Sequence, residues 1–391
     1  GCGILAHVEN GEITKIEGDP DSPLSRGTIC AKGLAQIERL NHPDRLIYPM
    51  KRIGEKGEGK WKRISWDEGL DTIAGKIRET IERDGQKAIS FAQGTPKGLE
   101  IYLMIRLANV LNIPNISTPG NICHMPRETA SNLTCGFFPI PDYSGLPACV
   151  IVWGSNLFQT NEEGIIGSQL RGAIDQGAKL IVIDPRKTGI ASKSDLWLQP
   201  RPGSDLALAL GMLRVIVDEG LYEKTFVDNW TRGFPELVDH LQQYPLDRVS
   251  EITWVPKEQI VKAAHLFSQT KPACIQWGNA LEHTLNSVQC ARALLILMAL
   301  TGNLEVPGGN VNRPGPSIMR PGELVQIKRF PDKKEKIMSP EFRLATMMGF
   351  VPSQMVVKAI LTGKPYPIRM MHIQGGNPLL SYANAKETFE A

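Results

Sequence analysis

The chain has no run of about eighteen apolar residues, the length a membrane span needs. Its nearest approach, ALLILMALTG at 293–302, is long enough only for a buried helix. It also lacks any basic stretch interleaved with aromatics. With 44 Lys and Arg against 41 Asp and Glu, the net charge is +3, so nothing in the sequence asks for nucleic acid. Neither G-x-G-x-x-G nor G-x-x-x-x-G-K-[ST] occurs, which removes the simple dinucleotide and triphosphate fingerprints. There is no repeat at a solenoid period and no low-complexity linker. The seven cysteines are odd in number and widely spaced, unlike a disulfide scaffold. Reduced thiols in a reducing or anaerobic setting fit better, which favours cytoplasmic residence over export of the folded protein.

What is present describes a globular protein of several domains. At 391 residues with 42% apolar and 22% charged content, size alone predicts two or three domains. The opening GCGILAHV, without methionine, and the closing AKETFEA, in mid-helix pattern, are read as those of a piece of a longer protein. Cys149, Cys274 and Cys290 lie inside apolar runs, where cysteine acts as a small hydrophobe, and Cys135 leans toward the same structural role.

Residues 1–60 read as a small, β-rich, turn-rich unit, with Asn10-Gly11 between alternating runs as the signal of a tight hairpin. A Ser-x-x-Glu capping box then opens SWDEGLDTIAGKIRETIERDG at 65–85, where Trp66, Leu70, Ile73, Ile77 and Ile81 recur at helical spacing. This predicts a surface helix with one apolar stripe turned inward. Beyond it, apolar strands alternate with helices: strand 87–94 and helix 99–111, strand 148–156 and helix 163–176, strand 178–186 and helix 204–219. Helix 256–268, strand 273–279, helix 286–301 and strand 368–377 follow. Continuous apolar strands between helices predict an α/β fold with doubly wound parallel sheets covered on both faces. The Pro/Gly-rich NRPGPSIMRPGE at 312–323 reads as an ordered crossing loop.

Four strands run straight into small or polar residues: Gly154-Ser155-Asn156, Asp184-Pro185-Arg186, Gly278-Asn279 and Gly375-Gly376-Asn377. In open α/β sheets, ligands bind beyond the carboxyl ends of the strands, where glycine admits a phosphate and an acid can take a ribose hydroxyl. Gly and Asn also simply make turns after strands, but four such endings together suggest several nucleotide-like ligands or one large one. Separately, GNICHMPRE at 120–128 sets Cys123 against His124, a thiol beside a proton carrier.

The opening GCGILAHVENGEITKIEGDPDSPLSRGTICAKG resembles the amino-terminal iron–sulfur segment of the molybdopterin oxidoreductases of the dimethyl-sulfoxide-reductase type. The resemblance continues in that family's order through RISWDEGLDTIAGKI, VWGSN, LIVIDPRKT, WLQPRPGSDLALALGML, LTGNLEVPGGNVN and IQGGNP, over nearly the whole chain. It implies that Cys2 and Cys30 ligate a [4Fe–4S] cluster whose first two ligands lie upstream, and that Lys32 sits between cluster and pterin. It implies Cys123 as the protein ligand to molybdenum or tungsten, a soft thiolate on a soft metal. His124 is similar to the histidine that follows the ligand in formate dehydrogenases and would move the proton of a two-electron step. Gly154, Ser155, Asn156, Asp184, Arg186, Gly203, Asp205, Gly278, Asn279, Gly376 and Asn377 would hold two pterin guanine dinucleotides (a bis-molybdopterin guanine dinucleotide cofactor). Asp184 and Asp205 would take ribose or guanine, and Asp205 could instead cap the helix after it.

The same resemblance implies a [4Fe–4S] segment at 1–60, a discontinuous cofactor-binding domain at 61–145 and 305–391, and a second α/β domain binding pterin guanine dinucleotide at 146–304. The family's carboxy-terminal barrel-like domain is read as absent. The implied function is two-electron redox of a small substrate of formate or sulfur-compound type, electrons passing through the cluster. Partners would be a ferredoxin-like iron–sulfur subunit or a soluble carrier, with a membrane-anchor subunit a further option. Where formate dehydrogenases carry Pro-Leu-Arg-Gly-Gln, this chain reads GGNVNRPGPSIMRPG, so a formate arginine would have to be Arg313 or Arg320. Two alternatives stand beside this one: a tungsten enzyme like acetylene hydratase, with no net redox, and an electron-wire subunit like the large iron–sulfur subunit of respiratory complex I. Retention of Cys123 and the strand-end set argues against the wire.

Overall fold

The computed structural model describes residues 2–23, 25–95, 98–160, 165–313, 321–338 and 350–391. These fall into two compact units, one within 1–43 and 122–314, the other within 44–121 and 315–391. The crossing loop expected at 312–323 lies for the most part outside the described residues, as does Arg320. No described helix is long and apolar enough to cross a membrane.

The first unit is built on a four-stranded parallel sheet in the order Leu196–Leu198, Lys179–Ile183, Cys149–Trp153, Ala273–Trp277. Side chains alternate between its faces, and both faces are apolar. Cys149, Ile151, Trp153, Ile181, Ile183, Ile275 and Trp277 join one core with the helices Asp205–Asp218, Lys257–Gln269 and Ser287–Leu300. Val150, Val152, Leu180, Val182 and Cys274 join another, with the Ile165–Asp175 helix. That double covering explains why these strands read as unbroken apolar runs instead of alternating ones. Desolvation raises the thiols of Cys149, to about 12, and of Cys274 and Cys290, so these three are packing residues, as expected. Burial likewise holds Cys135 at about 11.

A two-stranded hairpin, Ile4–Glu9 with Glu12–Gly18, precedes this sheet. Its turn is the Asn10-Gly11 pair, at φ of 52° and 85°, the left-handed geometry that dipeptide favours.

The second unit carries a four-stranded parallel sheet in the order Phe350–Val351, Asn115–Ser117, Ile89–Gln93, Met370–Gln374. Its helices include Trp66–Asp84, opened as expected by Ser65, whose Oγ accepts from the Glu68 N–H at 3.1 Å. The stripe on that helix departs from expectation. Trp66, Leu70 and Ile73 are exposed, and the buried positions are Gly69 and Thr80. Gly69 faces the ring of Pro49 and the side chain of Ile64, so the contact that seats the helix runs one residue off the predicted stripe.

Candidate active site

Parallel register brings the ends of the first unit's strands to one edge. Trp277 pairs with Trp153, Trp153 with Ile183, and Ile183 with Leu198. The residues that follow, Gly278, Gly154 and Asp184, therefore emerge side by side. Gly154 donates its N–H to the Ile183 carbonyl at 2.8 Å, and Gly278 to that of Trp153 at 2.9 Å. Gly154 takes φ of 59°, where a side chain is strained. A Cβ on Gly278 would collide with the Gly154 carbonyl oxygen. We expect Gly278→Ala to destabilise the protein by about 1–3 kcal/mol, measured as a fall in the denaturation midpoint. An unchanged midpoint would mean that the two strand ends move apart freely.

The acids at this edge are already engaged. Asp184 is 4% exposed, and its Oδ1 accepts from the Arg186 N–H at 2.8 Å, closing the turn after its strand. The Arg186 Nε lies 3.6 Å from the same oxygen. Asp205 opens the Asp205–Asp218 helix, but the N-cap is Ser204, whose side chain makes no capping bond. Instead Asp205 Oδ1 accepts from the indole Nε1 of Trp153 at 2.9 Å. Burial pushes the Asp205 carboxyl upward, and neighbouring Asp184 adds to the shift. Gly203, two residues before it, takes φ of 84° with open space around it.

Cys123 and His124 immediately precede the Met125–Thr134 helix, with His124 at the N-cap and Pro126 in the first turn. At helical spacing of four, Cys123 is followed by Arg127 and His124 by Glu128. His124 Nε2 is 3.9 Å from Glu128 Oε1. Asn279, from the end of the Ala273–Trp277 strand, donates its Nδ2 to Cys123 Sγ at 3.4 Å. Its Oδ1 accepts from Arg127 at 3.0 Å. Arg127 also donates Nε to Glu282, whose side chain is fully buried, and its guanidinium stands 5.5 Å from the Trp277 ring centroid. Burial raises the Glu282 carboxyl to about 7, against the lowering pull of Arg127.

The segments carrying Cys2 and Cys30 are tied to one turn. The Asp19 N–H donates to the Gly3 carbonyl at 3.1 Å, and the Gly27 N–H to the Asp19 carbonyl at 2.7 Å. Gly3 N–H donates to Ser25 Oγ at 3.1 Å. Cys30 N-caps the short Ala31–Leu34 helix that holds Lys32. Cys30 and Lys32 line a cleft of about 590 Å³ with Phe158, Gln159, Ser168 and Arg171. Among the described residues no group of three or more His, Cys, Asp or Glu is arranged to hold a metal ion.

In the second unit Gly376 and Asn377 follow the Met370–Gln374 strand, which is paired through Gln374 with Gln93. Gly94 N–H donates to the Gln374 carbonyl at 2.9 Å, and a Cβ on Gly94 would strike the Gly375 carbonyl. Gln93 is 3% exposed, yet among the described residues neither atom of its amide finds a hydrogen-bond partner.

Within the first unit the structure thus groups Gly154, Ser155, Asp184, Arg186, Asp205, Gly278 and Asn279 along one sheet edge and joins Cys123 to Asn279. Asn156 is buried beside them, with Nδ2 donating to Gln159 at 2.8 Å. Arg313, a candidate formate arginine, is ion-paired to Asp142. Sequence reasoning missed Arg127, Glu128, Glu282 and Gln93. The first two were legible, since PRE follows Cys-His at a spacing that places both on the helix after the thiol.

Two family descriptions match the chain: "Molybdopterin oxidoreductase Fe4S4 domain" over residues 1–42 and "Molybdopterin oxidoreductase" over 45–391. The acetylene hydratase of Syntrophotalea acetylenica is 32% identical over the whole chain and 57% of its own length. The thiosulfate reductase molybdopterin-containing subunit PhsA of Salmonella typhimurium is 29% identical over 96% of this chain and 51% of its own. The solved structure of the acetylene hydratase from Pelobacter acetylenicus superposes with a TM-score of 0.90 at 30% identity, covering 100% of this chain and 57% of that one. The chain therefore spans about half the length of the relatives it matches. With an iron–sulfur description on its first segment, a molybdopterin description on nearly all the rest and a shared fold throughout, the chain belongs to the molybdopterin oxidoreductases of the dimethyl-sulfoxide-reductase type.

Proposed function

We propose that this chain is the cofactor-binding part of a catalytic subunit that carries molybdenum or tungsten on two pterin guanine dinucleotides and performs two-electron redox of a small substrate of formate or sulfur-compound type. The observation that carries the reading is Cys123, half-buried at the carboxyl edge of the first unit's sheet with a donor already trained on its sulfur. A soft thiolate in that position suits either metal.

The residues present fit the cofactors. In the second unit, Gln93 offers a buried amide with no partner among the described residues, a bonding capacity that a polar ligand would satisfy, beside backbone that Gly94 and Gly375 keep narrow. Gly376 and Asn377 stand next to it. In the first unit, Gly154, Ser155, Asn156, Asp184, Arg186, Gly203, Asp205 and Gly278 supply the strand-end cradle. Asp205 has one carboxylate oxygen fixed by Trp153 and can present the other. Cys2 and Cys30 supply two of the four thiolates a [4Fe–4S] cluster takes.

The metal and pterins, when bound, supply the electron-pair chemistry. The chain's own residues do the rest. Cys123 anchors the metal. His124, with Glu128 as its acidic neighbour, accepts or returns the substrate proton at Nε2. Lys32, beside Cys30 in the cleft, would balance the charge of a cluster held by Cys30 as electrons pass. The electrons leave or enter by way of a partner, an iron–sulfur subunit or a soluble carrier, and the relative PhsA is itself named a subunit.

A second reading is favoured by the fold match to acetylene hydratase over the entire chain: a tungsten enzyme with no net redox. Elemental analysis of the anaerobically purified full-length protein separates these readings. Guanine nucleotide and Mo or W in a ratio of about two to one is the expected result. Molybdenum directs the screen to formate and sulfur compounds, and tungsten brings acetylene hydration forward. Iron without nucleotide would overturn the enzyme reading in favour of an electron wire.

A further inference from the structure

The family resemblance implies a pterin contact for Asn279, and its partners in the structure give its amide a second task. A primary amide has one accepting and one donating end, and which end faces a neighbour depends on the rest of the network. Here Oδ1 faces Arg127 at 3.0 Å, and Arg127 can only donate. Nδ2 must therefore face the other way, and it does, toward Cys123 Sγ at 3.4 Å. Arg127 is fixed in turn by the buried Glu282, by the Trp277 carbonyl at 3.5 Å and by the face of the Trp277 ring.

We infer that Arg127 is a positioning residue for the metal-binding thiolate: clamped by Glu282, it locks the Asn279 amide in the one orientation that donates a hydrogen bond to Cys123 Sγ. Arginine suits the task because its planar fork holds Glu282 through Nε and Asn279 through a terminal nitrogen at once. A lysine ammonium in its place keeps the charge beside Glu282 but loses that fork. A hydrogen bond on a metal-bound sulfur withdraws electron density from it and so raises the reduction potential of the metal. The clamp joins residues 155 positions apart in sequence, so the chain tunes the potential through residues that only the fold brings together.

The inference rests on Cys123 being the ligand, and the test separates the two. The full-length holoenzyme and its Cys123→Ser, Asn279→Ala, Arg127→Lys and double Asn279→Ala/Arg127→Lys variants would be titrated by redox potentiometry. The readout is the EPR signal of the one-electron-reduced metal. Cys123→Ser should change the g-values. Asn279→Ala should move the potential to more negative values. Arg127→Lys should move it in the same direction, and the double variant should move no further than Asn279→Ala alone, since there is then no amide left to orient. Unaltered g-values in Cys123→Ser would overturn the ligand reading itself. Altered g-values there, with an unmoved potential in Arg127→Lys or with additive shifts in the double variant, would overturn the positioning role alone.

Discussion

Replacing Cys123 by alanine is expected to abolish turnover while leaving the fold and the iron–sulfur signal intact. The side chain is half-buried at a sheet edge and not part of either apolar core, so its loss opens no packed cavity. The Asn279 Nδ2 it leaves behind is on an exposed residue and can bond water instead. On the proposed assignment, what disappears is the protein ligand to the metal. Loss of even an outer partner of a ligand costs about 10–100-fold in affinity or activity, so loss of the ligand itself should exceed that range. Serine at the same position restores an oxygen ligand of harder character and should recover metal but not the native rate. Near-native turnover in the alanine variant, with metal content preserved, would remove Cys123 from the metal centre. His124→Gln provides the contrast: metal should be retained and the rate should fall by about 10²–10⁴-fold. If the pH–rate profile did not change, the histidine would not be the proton carrier.

Much of this arrangement could be read from the sequence because the physics is local. A parallel strand covered on both faces must be apolar at every position, so VIVW and LIVI announce themselves. The Gly or Asp that follows is where the backbone must turn, and parallel register then guarantees that several such endings meet at one edge. Short elements carry no comparable signal. Asn115–Ser117 and Phe350–Val351 are strands of three and two residues, held by neighbours and not by any period of their own. The stripe on the Trp66–Asp84 helix misleads because apolar periodicity marks a face without saying what covers it. Glu282 is out of reach for a different reason. Its partner Arg127 lies on the Met125–Thr134 helix, 155 positions away in sequence, and the packing of that helix against Ser287–Leu300 brings the two together. The carboxylates that sequence reasoning favours are Asp184, which follows a strand, and Asp205, which opens a helix, while Glu282, which burial raises to about 7, lies on the turn after the Ala273–Trp277 strand.

The Arg127–Glu282 pair carries the other large expected effect, on stability and not on turnover. Replacing Arg127 by leucine should destabilise the full-length protein by about 3–5 kcal/mol at about pH 8, because a buried carboxylate is left without its counter-charge. The effect has a sign in pH. Burial holds the folded-state Glu282 carboxyl at about 7, above its ordinary value of 4.5, so the folded chain binds this proton more tightly than the unfolded one. The stability that follows from it is whole below the unfolded value and is lost as pH rises through about 7. Without Arg127 the folded value climbs further, and the penalty at neutral pH deepens. At about pH 5 the folded-state carboxyl is already neutral in both proteins, so the leucine variant's deficit should shrink by about 1.4 kcal/mol, the free energy of one proton over the one pH unit above the folded value. A double variant, Arg127→Leu with Glu282→Leu, leaves no buried charge to desolvate and should regain most of the stability at either pH, since an apolar pair of similar volume often replaces a buried ion pair without loss. Thermal denaturation of the three proteins at the two pH values reads this directly. A deficit in Arg127→Leu that is the same at both, or that the second leucine fails to repair, would mean that Arg127 stabilises the unit by packing on Trp277 and not by neutralising Glu282.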